Sequence, residues 1–182
     1  MKTTRLISTI AFAFALLLSF NAEAQKFSDL DKSPMDAASY PSSYKESDKL
    51  IKIVYSRPQL KDRKVYDLAK PGKVWRLGAN EAAELHVYAD MKLNGKDVKK
   101  GTYTIYAIPG EKEWTIIVNT DLNVWGSYFY NEENDVTRIT VPTTEGEESL
   151  EAFSITFEES DSGVDMHLGW GTVRVAVPFS KS

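Results

Sequence analysis

The sequence predicts an all-β protein. One domain is expected, an antiparallel β-sandwich that is jelly-roll-like or closed into a flattened barrel, behind an irregular N-terminal extension. From Leu50 onward, apolar and polar residues alternate with the period of a strand, and the alternating stretches are short and end at Gly, Pro, Asn or Asp. A helix would need an apolar period of about 3.6 residues, which nothing after Leu50 sustains.

The N-terminal segment, residues 1–24, has the three parts of a secretory signal peptide. Lys2 and Arg5 supply the positive start, residues 10–20 form an uncharged apolar core, and residues 22–24 end in a small-residue pattern for cleavage before Gln25. The apolar run is too short to cross the roughly 30 Å hydrocarbon core of a bilayer. We therefore predict cleavage after residue 24, export, and no membrane insertion afterwards.

The composition excludes several classes of protein. The chain contains no cysteine, which rules out disulfides, thiolate metal sites and the lipid anchor of a bacterial lipoprotein. Its formal net charge is −4, so no electrostatic argument favours nucleic acid or an anionic membrane as a partner. A chain of this length forms one domain with a substantial core.

The domain organisation follows from a change in pattern near Leu50. Residues 25–48 are polar and contain Pro34 and Pro41, so we expect a surface extension with a short helical turn near Met35–Ser39. Residues 49–182 then form the β-sandwich domain.

The first predicted strand, Ile51–Tyr55, stops before Pro58, which cannot donate a hydrogen bond to a sheet. The later alternating stretches predict, in order, strands at Glu84–Ala89, Met91–Leu93, Thr102–Ala107, Trp114–Val118, Val136–Val141, Phe153–Phe157, Met166–Trp170 and Val173–Val177. Turns are predicted at Asn94-Gly95, directly after Met91–Leu93, and hairpins at Pro109–Lys112 and at Gly171. Val65–Ala69 predicts one short helical turn, and Thr143–Ser149 predicts a solvated loop.

Standard catalytic and metal-binding patterns are missing. The two histidines, His86 and His167, both fall at polar-facing positions of predicted strands, and a three-histidine metal site cannot be assembled from them. Neither histidine accompanies a Gly-x-Ser-x-Gly nucleophile motif, and phosphate-cradling glycine loops are not found. We expect no cofactor and no metal.

The run Trp75–Glu81 is the most informative feature. It places an aromatic, a cation, an amide and a carboxylate within seven positions of a sequence that otherwise alternates. Polar groups this dense either satisfy one another in a buried network that specifies an irregular segment, or form a binding surface. In the first interpretation Arg57 and Arg76 would each pair with a carboxylate such as Glu81, Asp135 or Glu151.

A second candidate feature is the aromatic run Trp125–Tyr130, expected on a loop of a rigid β-scaffold, where recognition residues are common. Together the two runs and the neighbouring arginines predict a ligand-binding set consisting of Arg57, Arg76, Asn80, Glu81, Trp125, Tyr128 and Arg138.

Separate motifs along the mature chain resemble one known family. They are Leu30–Asp36, Tyr55–Pro58, Trp75–Glu81, Gly101–Tyr103, Ile108–Gly110, Trp114–Asn119, Trp125–Gly126 with Tyr130, and Glu151–Ile155. In this order they resemble the domain of unknown function 2911 family, secreted or periplasmic proteins of Gram-negative bacteria. The resemblance implies a β-rich domain with no established activity, substrate or cofactor. It also highlights Arg57, Arg63, Arg76, Asn80, Glu81, Asn119, Trp125 and Arg138.

Three functions remain open at this stage. The first is a non-catalytic periplasmic or secreted module that binds a small polar ligand or glycan. The second is a hydrolase with paired carboxylates, in which Glu81 is the leading candidate. The third is an envelope structural protein whose exposed aromatics contact another protein. The lack of a standard catalytic constellation favours the first.

Overall fold

The computed structural model describes residues 25–182, and the predicted signal peptide lies outside them. Residues 25–30 contain no helix or strand, and residues 31–182 form one unit. Alternating sequence in this unit produces one antiparallel sheet of nine strands, ordered β1-β2-β3-β6-β7-β8-β9-β4-β5. The elements are β1 Met35–Tyr40, β2 Ile51–Ser56, α1 Val65–Leu68, β3 Ala83–Val87, β4 Met91–Leu93, β5 Lys96–Val98, β6 Gly101–Ile108, β7 Glu113–Asn119, a 3₁₀ turn Glu132–Asn134, β8 Asp135–Ser160 and β9 Gly163–Lys181.

The sheet folds over on itself around one core. Ile53 of β2 and Leu85 of β3 belong to the same buried cluster as Phe153 of β8 and Phe179 of β9, although several strands separate them in the sheet order. The first part of β8 pairs with β7 and the remainder pairs with β9, so this long hairpin carries the sheet across the core. The all-β antiparallel prediction is confirmed.

The sequence left open whether the sheet forms a sandwich or a closed, flattened barrel, and the barrel is not observed. Within residues 25–182, β1 and β5 end the sheet without pairing with each other. A sandwich-like arrangement satisfies the alternation equally well, because each strand needs only one face buried.

Several local predictions are confirmed. The hairpin of β6 and β7 turns through Pro109 and pairs Ile105 with Val118, and the Asn94-Gly95 turn joins β4 to β5. The short helix α1 forms within the predicted Val65–Ala69 segment.

Three local predictions are wrong. The segment Met35–Ser39 is a strand and not a helical turn, because it adds to the free edge of β2 with Ala38 opposite Ile53. Thr143–Ser149 is part of the long strand β8, although its register against β9 shifts between Glu145 and Leu150.

The third wrong prediction is the hairpin at Gly171. This glycine has a φ of +55°, yet the residues on its two sides continue as the single strand β9 and both pair with β8. Gly171 is therefore a bend within a strand. A glycine in an alternating pattern can mark such a bend as well as a turn between two strands.

No helix within residues 25–182 is long and apolar enough to span a membrane.

Candidate functional site

The run Trp75–Glu81 crosses from the core to the surface. Trp75 pairs with Ala107 of β6 through two backbone hydrogen bonds, of 2.7 and 2.9 Å, and its side chain is buried. Its ring stacks on Trp170 and meets Trp114 and Phe153 edge to face. Trp75, the aromatic residue of this run, is therefore a core residue.

The backbone between Trp75 and Glu81 is held by close contacts. Leu77 and Asn80 have φ values of +52° and +59°, a conformation that few L residues adopt. Gly78 lies so near β2 that a Cβ there would sit 2.9 Å from the backbone oxygen of Ser56. Asn80 is suited to its position, since asparagine tolerates the left-handed region better than most residues.

A loop that joins β7 to the 3₁₀ turn, residues 120–131, covers the outer face of the sheet. Ala82, Tyr106 and Ile117 form a small buried cluster on that face, and Val124 and Tyr130 of the loop pack against it. The loop is also tied to the Trp75–Glu81 run, because the backbone N–H of Gly126 donates to the oxygen of Asn80 at 3.0 Å.

Asn119 holds the two ends of this loop together. Its buried amide donates to the backbone oxygen of Asn131 at 3.0 Å and to Asp135 at 2.8 Å, and its oxygen accepts from the backbone N–H of Asp121 at 2.9 Å. A buried asparagine with every bond satisfied is a strong local constraint.

The predicted site residue Arg138 belongs to the same anchor. Its Nε donates to Oδ2 of Asp135 at 2.6 Å, and the hydroxyl of Tyr130 donates to the same oxygen at 2.8 Å. Burial, followed by the hydrogen bond to Asp135, raises the pKa of Tyr130 well above its ordinary value. Burial raises the pKa of the neighbouring Tyr106 to about 12. Arg138 therefore positions the loop.

Arg57 is also fully engaged within the scaffold. It donates to Asp36 of β1 at 2.9 Å, to the backbone oxygen of Phe153 at 3.0 Å and to Ser154 at 2.7 Å. The prediction that arginines of this region pair with carboxylates is confirmed for Arg57, but its partner is Asp36 and not Glu81, Asp135 or Glu151.

The first of two clefts lies beside the loop, on the outer face of β2 and β3. It has a volume of about 420 Å³. Val54, Ser56 and Glu84 form its floor, because they alternate with the core-facing residues of the same strands. Glu81 and Trp125 face each other across an isolated backbone bridge at its wall, and the Trp125 side chain is 55% exposed.

The second cleft lies at the other end of the same loop segment and has a volume of about 380 Å³. Ser127 and Tyr128 form one wall, and the segment after α1 forms the other with Lys70, Lys73 and Arg76. The hydroxyl of Ser127 donates to the backbone oxygen of Val74 at 2.9 Å, which joins the two walls.

The predicted ligand-binding set is thus divided by the structure. Glu81 and Trp125 line the first cleft, and Arg76 and Tyr128 line the second. Asn80 supports the turn between them, and its side chain contributes, after a backbone bond from Ser33, to a lowered pKa of the exposed Asp31.

The predicted set omitted two residues: Glu84, which lines the first cleft, and Asn119, which anchors the loop beside it. Glu84 follows directly from the alternation, since its neighbour Leu85 is buried and Glu84 must face outward from β3. Asn119 was indicated only by the family motif ending Trp114–Asn119, because a buried amide cannot be inferred from a strand pattern that places it at the end of β7.

The histidines lie apart from both clefts. His86 contacts Thr102 at 3.2 Å, and His167 lies 3.7 Å from Glu158. Among residues 25–182, no group of three or more His, Asp or Glu side chains is placed to hold a metal ion.

The comparison with protein families agrees with the motifs. The family model described as "Protein of unknown function (DUF2911)" matches residues 33–179, which is most of the chain. The chain belongs to this family, and the resemblance drawn from its motifs is confirmed. No curated protein and no solved structure matches it.

Proposed function

We propose that this protein is an exported, non-catalytic module that binds a small neutral polar ligand, such as the sugar units of a glycan, in the Glu81–Trp125 cleft. The observation that carries the proposal is the combination of one exposed indole with two carboxylates in a single concave site of about 420 Å³. A volume of this order is within the usual range for small-molecule sites, roughly 300–1,000 Å³.

The chemistry of the lining favours hydroxyl-rich ligands. Carboxylates act only as acceptors when ionised, so Glu81 and Glu84 suit a ligand that presents several O–H donors. The flat, apolar face of Trp125 suits the C–H face of a sugar ring, and an indole holds that face with little loss of side-chain entropy.

The charge of the cleft argues against an acidic ligand. Its two acidic side chains, Glu81 and Glu84, are carboxylates, and no lysine or arginine of residues 25–182 belongs to the lining. An anion would be repelled, whereas a neutral polyol can donate to both acids.

The four tryptophans allow a direct test by NMR. Trp75, Trp114 and Trp170 are buried and only Trp125 is exposed, so the four indole N–H signals contain one reporter and three internal controls. Titration with a panel of neutral oligosaccharides should shift the Trp125 signal and leave the other three in place. A Trp125→Phe variant assigns the reporter.

The binding should also depend on the acids. Glu81→Gln and Glu84→Gln keep the size of each side chain and remove its charge, and each should weaken the response of Trp125 to the same sugar. If the panel leaves the Trp125 signal unchanged, or if both Gln variants respond like the wild type, the proposal is wrong.

A hydrolase with paired carboxylates is the second candidate, and the joint position of Glu81 and Glu84 in one cleft favours it. Two carboxylic acids about 5–9.5 Å apart across a glycosidic bond are the requirement of that chemistry. New reducing ends released from the same oligosaccharides, and lost in Glu81→Gln, would support hydrolysis. Binding without release supports the module.

Export is part of the proposal and rests on the sequence of residues 1–24. The N-terminal residue of the protein isolated from the periplasm or the medium of a Gram-negative host should be Gln25. An intact N-terminus in the cytoplasm would contradict export.

A further inference from the structure

The second cleft carries an inference that does not depend on the ligand of the first. Its lining contains three cationic side chains, Lys70, Lys73 and Arg76, and within the described part of the chain no carboxylate lines it. Three like charges around one concavity repel one another, and a charge of opposite sign placed there would relieve that repulsion.

Arg76 differs from the other arginines of residues 25–182. Arg57 and Arg138 are paired with Asp36 and Asp135, and Arg63 and Arg174 donate to backbone carbonyls. The Nε of Arg76 is buried and has no hydrogen-bond partner among the described residues.

An unpartnered buried donor calls for an explanation, since buried polar atoms are nearly always bonded. This Nε is closed to solvent, so a ligand in the cleft would meet the terminal nitrogens of the guanidinium, and Arg76 lies at the border of that open cleft.

A glycine lies between the guanidinium and the ring of Tyr128. A Cβ at Gly126 would sit 3.5 Å from Nη1 of Arg76 and 2.7 Å from the ring of Tyr128. The φ of Gly126 is +68°, so the backbone there also favours glycine. A larger residue would collide with the ring of Tyr128 and would fill the space beside the arginine.

We propose that the cleft between Arg76 and Tyr128 is a binding site for an oxyanion group, namely a phosphate, sulfate or carboxylate. The planar guanidinium binds such groups through parallel N–H bonds, and the lysines supply two further point charges. The exposed ring of Tyr128 flanks the anion and accommodates the organic part of its carrier. One loop segment, Trp125–Tyr128, therefore separates an acidic cleft from a basic one.

The side-chain N–H signal of Arg76 gives the direct test. Inorganic phosphate, sulfate and glucuronate are each titrated into the protein at constant ionic strength, with chloride as the balancing salt. The Nε–H resonance of Arg76 should shift with at least one of the three anions, and the identity of the best one distinguishes phosphate, sulfate and carboxylate sources.

Variants show whether the charges act as a site. Arg76→Gln should weaken binding by about tenfold or more, because it removes hydrogen bonds to a charged group. Arg76→Lys keeps the charge without the fork and should recover part of the affinity. The exposed Lys73→Gln, which leaves the core untouched, should weaken binding by a smaller factor and serves if Arg76→Gln fails to fold.

Lys96→Gln is the matched control, since Lys96 is exposed on β5, at the far edge of the sheet order. It should bind anions like the wild type. The proposal is overturned if no anion shifts the Arg76 signal, or if Lys96→Gln weakens binding as much as Lys73→Gln does, which would indicate general charge screening.

Discussion

The indole rings of Trp75 and Trp170 stack with their centroids 5.6 Å apart and their planes inclined by 11°. This contact joins the polar run before β3 to the bend at Gly171 in β9, and it places the most conspicuous aromatic residue of the run inside the core. The ring that remains available to a ligand is Trp125, on the loop that covers the opposite face of the sheet.

The two tryptophans should therefore respond differently to truncation. Trp75→Ala removes a buried ring with three aromatic neighbours and should lower the free energy of unfolding by about 3–5 kcal/mol. Trp125→Ala removes a side chain that is 55% exposed and should cost less than about 1 kcal/mol. Urea denaturation of both variants beside the wild type measures the difference. Equal losses would contradict the assignment of Trp75 to the core.

Gly78 should be intolerant of a side chain because of its contact with Ser56. The Cβ of Gly78→Ala would lie 2.9 Å from a backbone oxygen, which cannot rotate away, and we expect a loss of about 1–3 kcal/mol.

Gly72→Ala is the control for that variant. Gly72 has a φ of +71° but nothing within 4 Å of its would-be Cβ, so only backbone strain is added, about 1–2 kcal/mol. Thermal melting should rank Gly78→Ala below Gly72→Ala. The reverse order would show that Gly78 is not closely packed against Ser56 of β2.

Asn119 should be the residue on which the loop depends most. Asn119→Ala removes the bonds to Oδ1 of Asp135, to the backbone oxygen of Asn131 and from the N–H of Asp121, and we expect a loss of about 2–3 kcal/mol. Thr120→Ala, which removes one exposed bond of 3.3 Å at the next position, should change stability by less than about 1 kcal/mol. Hydrogen exchange of residues 120–131 should accelerate only in the first variant. Unchanged exchange there would contradict the anchoring role.

Alkaline pH should destabilise the fold through buried tyrosines. Burial raises the pKa of Tyr106 to about 12, so the folded state retains a proton that the unfolded state loses near pH 10. For Tyr106 the stabilisation is complete below about pH 10 and declines as the pH rises toward 12, by about 1.4 kcal/mol per pH unit. Tyr130, whose pKa is raised by burial and by Asp135, acts in the same direction.

The Tyr106→Phe variant tests that linkage, because it removes the titrating hydroxyl and keeps the ring against Tyr130. Its free energy of unfolding should fall less steeply between pH 10 and 11.5 than that of the wild type. Identical slopes would mean that Tyr106 titrates normally in the folded protein.

Local strand patterns predicted much of this fold. Ile51, Ile53 and Tyr55 alternate toward the core as expected, and the β6–β7 hairpin turns where proline and glycine interrupt the pattern. Gly171 shows the limit of that reasoning. A glycine between two alternating stretches is equally compatible with a turn and with a bend, and only the partner strand, β8, decides between them.

The candidate site was only partly predictable for a related reason. The Trp75–Glu81 run is irregular, so its sequence has no repeating pattern that would indicate which side chains face the core. The sequence therefore grouped Arg76 with Glu81, whereas the loop of Trp125–Tyr128 places them in different clefts. The sequence does not distinguish Arg57 and Arg138 from Arg76. Their pairing with Asp36 and Asp135 becomes apparent only in three dimensions.

We propose that one loop separates a cleft for neutral sugars from a cleft for anions, and a reciprocal NMR titration probes both clefts in one experiment. Wild type, Glu81→Gln and Arg76→Gln are each titrated with the best-binding neutral oligosaccharide and, separately, with the best-binding anion. Glu81→Gln should lose the sugar response of Trp125 and keep the anion response at Arg76. Arg76→Gln should keep the Trp125 sugar response and lose the anion affinity measured by calorimetry. Loss of both ligands in both variants would mean that the sugar and the anion share a single site, and the assignment of two clefts would be wrong.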